Sequence, residues 1–115
     1  MTIVGRKNAE HYEWGQGCDG WRLLSRADLS VIEERIPPGL GEVPHFHTHA
    51  RQLFYVLSGG LGIDVDGTAF QLHPGESLEI APGATHRVHN PFDTDAVFLV
   101  VSSPTTAGDR TNVQP

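Results

Sequence analysis

Glycine and proline break this chain into runs too short for a helical bundle. Pro37-Pro38-Gly39, Gly59-Gly60, Asp66-Gly67, Pro74-Gly75, Pro82-Gly83 and Pro91 each end or turn a segment, and the full count is 13 glycines and 8 prolines in 115 residues. Proline cannot donate to a β-ladder and glycine admits the positive φ of tight turns, so the runs between them read as strands. Predicted strands cover 21–24, 29–36, 53–57, 63–65, 69–72, 78–80, 86–90 and 96–101. Eight short strands at roughly 8–12-residue spacing give an all-β sandwich or barrel. Asp66-Gly67 is a two-residue hairpin signal.

A chain of 115 residues builds one core. We divide it into an N-terminal arm (1–20), a barrel (21–104) and a C-terminal tail (105–115), the last with little to bury and free to wrap onto a neighbour. The net charge of −6, with Lys7 as the only lysine, argues against nucleic acid and anionic membranes as partners. No apolar run reaches the ~18–20 residues of a membrane span, and the N-terminus lacks a signal-like core. The single cysteine, Cys18, suits a reducing compartment, so the expected location is cytoplasmic.

Histidines cluster in two places. His45 and His47 share one strand face, with Cβ atoms about 6–7 Å apart by strand rise, and can converge on one ion. His86 follows the Pro82-Gly83 turn, and Gln52 follows the polar stretch Thr48–Arg51. Three imidazoles and an amide oxygen make a partial coordination sphere with positions left for water or substrate. His49 keeps the parity of His45 and His47; it is a rim residue, a proton shuttle or an alternative to Gln52 as ligand. His89 has the opposite parity to His86, and His11 and His73 read as surface or turn positions. Arg51 and Arg87 adjoin ligands in sequence but point to the other face.

Phe54 and Val56 share the parity of Gln52 and should line the cavity. The run Leu53–Leu57 is expected to be buried on both faces. From the last strand either Phe98 and Val100, or Val97, Leu99 and Val101, face inward. The strands show no evident inward general acid or base; Tyr55 has the wrong parity.

This pattern resembles the cupin superfamily. Gly39, His45, His47 and Gly59 stand at fixed positions of its first motif, with Gln52 where glutamate is usual. Gly75, Gly83, His86 and Asn90 meet the second, with Ala81 where proline is usual and Pro82 beside it. The resemblance implies a double-stranded β-helix (jelly-roll) barrel. Inside its wider mouth His45, His47, Gln52 and His86 would hold one divalent transition metal, Zn, Ni, Fe or Mn. It also implies a small-molecule substrate or ligand and pairing as a homodimer. Cupins with three His and one Gln include enzymes acting on unsaturated uronates and aromatic polyketide cyclases. Four neutral ligands leave a divalent ion its full charge, which favours Lewis-acid chemistry of isomerase, cyclase or lyase type on a small anionic or aromatic molecule. The alternatives are an Fe(II)-dependent dioxygenase and a non-catalytic metal- or ligand-binding cupin.

Overall fold

The computed structural model describes residues 1–113 and contains eleven strands. In chain order these are β1 (Glu10–Trp14), β2 (Cys18–Ser25), β3 (Ser30–Ile36), β4 (His45–Phe46), β5 (Arg51–Ser58), β6 (Leu61–Val65), β7 (Thr68–Leu72), β8 (Ser77–Ile80), β9 (His86–His89), β10 (Ala96–Ser103) and β11 (Thr111–Asn112). They form two antiparallel sheets, ordered β1-β2-β3-β10-β5-β8 and β11-β4-β9-β6-β7. The fold is all-β, as the turn spacing predicts, and it is the two-sheet jelly roll that the resemblance implies. No helix among the described residues is long and apolar enough to cross a membrane.

Strand alternation builds the core. Along β10, Ala96, Phe98, Val100 and Ser102 are buried and the residues between them are half-buried, which settles the open choice in favour of Phe98 and Val100. On β5, Gln52, Phe54 and Val56 point inward, and their register partners on β10 are Ser102, Val100 and Phe98. Across the interior, Leu61, Ile63 and Val88 from the other sheet complete an apolar layer. Each such side chain, once fully buried, contributes roughly 1.5–3 kcal/mol.

The hairpin at Asp66-Gly67 forms as read: both residues have positive φ (47° and 87°), and Val65 pairs with Thr68. Gly59 is required more strictly. Its φ is +71°, and a Cβ there would lie 2.0 Å from the Asp95 carbonyl oxygen, so only glycine lets the chain pass β10 this closely.

Three readings need correction. Leu53, Tyr55 and Leu57 are 38–42 % exposed, not buried, because β5 has only one face on the core. The segment read as an arm contributes β1, which pairs with β2 in full register from Glu10↔Arg22 to Trp14↔Cys18. Its half-buried Tyr12 and Trp14 alternate with exposed polar residues, a strand pattern too short and polar to stand out. The segment read as a tail returns to its own barrel: Thr111 pairs with Phe46, Asn112 with His45, and the Val113 amide donates to the Pro44 carbonyl at 2.9 Å. Residues 114–115 of that segment lie outside the described residues.

Candidate metal centre

His45 and His86 are register partners on β4 and β9, and His47 follows β4 directly. The Gly83 amide donates to the His47 carbonyl at 2.7 Å, tying the Pro82-Gly83 turn ahead of His86 to the first histidine segment. Ring centroids lie 5.0 Å apart for His45–His47, 4.4 Å for His45–His86 and 5.5 Å for His47–His86. One ligand nitrogen from each ring lies within 4.8 Å of the others, and all three residues are buried.

Hydrogen bonds fix which nitrogens face each other. Nδ1 of His45 bonds the Val43 carbonyl (3.0 Å), Nδ1 of His47 the Asp109 carbonyl (2.5 Å) and Nδ1 of His86 the Ala84 carbonyl (3.0 Å). A carbonyl only accepts, so each Nδ1 carries the proton and each neutral ring keeps its lone pair on Nε2. Burial pushes the His45 imidazole down to about 3 and the His86 imidazole below its ordinary value; the bonds to Val43 and Ala84 oppose this without cancelling it. Both rings are therefore neutral at pH 7, the form that donates to a metal.

Gln52 enters from the opposite sheet. Its Nε2 donates to Ser102 Oγ at 3.1 Å, which leaves Oε1 as its free end. Among the described residues, Gln52 Oε1 and His86 Nε2 are buried without a hydrogen-bond partner. An unpaired buried acceptor costs about 1–3 kcal/mol, so each of the two calls for a cation or a donor. The donor set of three imidazole nitrogens and an amide oxygen suits a borderline divalent transition ion.

The other expected residues separate cleanly. His49 is exposed on the turn after His47 and is outside the cluster. Phe54 lines the cavity, whereas Val56 is fully buried in the core beyond it. Arg51 pairs with Glu79 on the outside at 2.7 Å. His89 lies 3.4 Å from Asp64, away from the imidazole cluster. Asn90 is a structural residue: Nδ2 donates to the Ile36 (2.9 Å) and Thr94 (2.7 Å) carbonyls, and Oδ1 accepts from the Phe92 amide (2.9 Å).

Two features had not been read from the sequence. Asp109, just before β11, accepts from three successive amides of the histidine turn: Thr48 at 2.7 Å, His49 at 3.0 Å and Ala50 at 2.9 Å. The cavity also contains acids. It measures about 1010 Å³, and Tyr12, Glu34, Glu42 and Arg110 line it together with His45, His47 and Gln52. Burial and the nearby Glu34 charge push the Glu42 carboxyl up to about 8. Glu34 shares the inward face of β3 with buried Ser30 and Ile36, so its parity announced it.

A two-sheet barrel with converging imidazoles in its cavity defines a β-barrel suited to holding a metal. The chain belongs to the cupins: the Cupin domain family matches residues 32–102, more than half of it. It is similar to the polyketide synthase protein CurC of Streptomyces cyaneus, 33 % identical over 67 residues that make up 58 % of this chain and 44 % of CurC. It is also similar to quercetin 2,3-dioxygenase of Bacillus subtilis, 32 % identical over 49 % of this chain and 17 % of that enzyme. The chain thus spans less than half the length of either relative. Among solved structures, KdgF from Halomonas sp. superposes with a TM-score of 0.84 at 18 % identity, covering 93 % of this chain and 98 % of KdgF, which shows the shared fold.

Proposed function

We propose that this cupin is a metal-dependent enzyme acting on a small anionic or aromatic molecule by Lewis-acid chemistry of isomerase, cyclase or lyase type. The observation that carries it is the convergence of the buried His45, His47 and His86 rings, beside a cavity into which His45, His47 and Gln52 face and where Gln52 Oε1 has no partner. His45, His47, His86 and Gln52 would hold one divalent ion, which when bound supplies an electrophile with undiminished charge. The protein's own groups do the rest: Phe54 and Val100 give an apolar wall, Arg110 and Arg22 add cations, and Glu34 and Glu42 add proton carriers. The similarity to CurC, a polyketide synthase protein, supports a substrate of polyketide type.

Gln52→Glu tests the neutral ligand set. The added charge beside the ion should keep or tighten metal binding and weaken an anion on the same ion by at least about 1 kcal/mol at an effective dielectric near 20, or about fivefold. Acetate titration of the Co²⁺-loaded proteins, read in the visible spectrum, checks this. Equal acetate affinity would show that the glutamine is only tolerated. The similarity to quercetin 2,3-dioxygenase favours a second reading, an Fe(II)-dependent dioxygenase. Oxygen uptake by the Fe²⁺-loaded protein across a panel of flavonols and β-diketones would move the weight there.

A homodimer is the expected assembly. Leu53, Tyr55 and Leu57 lie on the outer face of β5 beside half-buried Leu99 and Val101 of β10, a sheet face apolar enough to self-associate. Light scattering should give twice the chain mass at micromolar concentration, and Tyr55→Lys with Leu57→Lys should halve it. A wild-type monomer would reject the dimer.

A further inference from the structure

The cavity has a second polar corner that the imidazole cluster does not explain. The Tyr12 hydroxyl of β1 donates to Glu34 Oε2 of β3 at 3.1 Å. The tyrosine is seated for this contact. A Cβ at Gly20 would lie 2.2 Å from Tyr12 Cζ, so the ring rests on bare backbone, and the Arg22 guanidinium stacks over the ring at 4.4 Å from its centroid. The nearby cations are engaged elsewhere. Arg22 Nε pairs with Glu10 at 2.7 Å, and Arg110 lies 3.7 Å from Glu42 and bonds Asn112 at 2.9 Å. Among the described residues Glu34 makes no ion pair within 4 Å. Its one side-chain partner, Tyr12, leaves carboxylate lone pairs open to the cavity.

We propose that Glu34 is the general base of this cavity, oriented by Tyr12 to take a proton from carbon in a bound carbon acid. This rests on the reading of the cavity as an enzyme site and assigns its substrate class, a carbonyl compound with an acidic C–H. In the step, the C–H bond breaks and its proton forms an O–H bond on Glu34. The released pair becomes a C=C bond as the carbonyl π pair moves onto oxygen. Return of that proton to another carbon of the conjugated system restores the carboxylate, so an isomerisation balances without a co-reactant.

The surroundings suit a base. Burial pushes the Glu34 carboxyl up to about 7; the bond from Tyr12 and the Arg110 and Arg22 charges limit the rise. A base poised near the working pH combines ionised population with proton affinity. The groups facing it are Tyr12 from β1, Cys18 and Arg22 from β2, Glu42 after β3 and Arg110 before β11.

The probe is 5-nitrobenzisoxazole, a carbon acid that needs only a base. Loss of its C–H proton makes a nitrile, breaks the N–O bond and releases a coloured phenoxide. Wild type should exceed the buffer rate at least tenfold, with activity rising through a midpoint near 7. Glu34→Gln should return the rate to background, while Glu33→Gln on the outer face changes nothing. Tyr12→Phe should shift the midpoint upward, because the lost hydrogen bond had favoured the carboxylate. If Gln impairs folding, Glu34→Asp serves and should lose at least fivefold. Assays with metal-free protein separate this result from failure of the metal site. Wild-type rates in Glu34→Gln, a wild-type rate no faster than buffer, or a loss confined to Glu42→Gln would each overturn the proposal.

Discussion

Replacing His47 with alanine should leave a folded barrel that no longer retains a divalent ion. His47 supplies one of only three imidazole nitrogens in the cluster, and no other histidine, cysteine or acid among the described residues joins that group. Loss of a group that merely orients a ligand costs about 10–100-fold in metal affinity, so loss of a ligand should cost more than about 100-fold. His45→Ala should behave the same way. His49→Ala should change affinity by less than about threefold, because that side chain is exposed on the turn. Competition against a chromophoric chelator measures all three. If His49→Ala empties the site while Gln52→Ala leaves it filled, the ligand assignment is wrong.

Asp109→Ala should weaken metal binding about 10–100-fold without touching a ligand. Its carboxylate collects the Thr48, His49 and Ala50 amides, and its carbonyl accepts from His47 Nδ1. One residue thus holds both the turn and the tautomer of the histidine beside it. Some burial pushes the Asp109 carboxyl up, but the bonds from His49, Ala50 and Thr48 outweigh it and hold the group below its usual range. A depressed carboxyl stabilises the folded state above its unfolded pKa, and that contribution is lost as the pH falls through the folded value. The latch is therefore intact at neutral pH and opens only in acid. Asp109→Asn, which keeps one carbonyl oxygen, should fall between wild type and alanine. Equal metal affinity in Asp109→Ala and wild type would show that the latch does not bear on the site.

What the sequence made visible follows from locality. Turn residues and two-residue periodicity are local, so β2, β3 and β5–β10 could be placed within a few residues. The parity of His45 and His47 likewise needed only strand geometry. A continuous apolar run was ambiguous: Leu53–Leu57 reads as doubly buried, yet its outer half is exposed, because apolar residues on one face of a sheet can await a partner. β11 has only Thr111 and Asn112 and owes its place to pairing with β4, which no local signal announces. Asp109 was illegible for the same reason, since its three amide partners lie about sixty residues upstream. Glu34 is a different case. Strand parity puts it beside Ile32 and Ile36 on one face of β3, but the cavity against that face is closed by β1, β2 and the segment before β11, which parity alone does not bring there.

The central claim is that His45, His47, Gln52 and His86 hold one metal ion. Elemental analysis of the purified protein, repeated after reconstitution with Zn²⁺, Ni²⁺, Fe²⁺ and Mn²⁺ and dialysis, tests it most directly. The account predicts about one divalent ion per chain in wild type, from the single imidazole cluster among the described residues, and almost none in His45→Ala. A wild-type protein that stays far below one ion per chain with all four metals would contradict it.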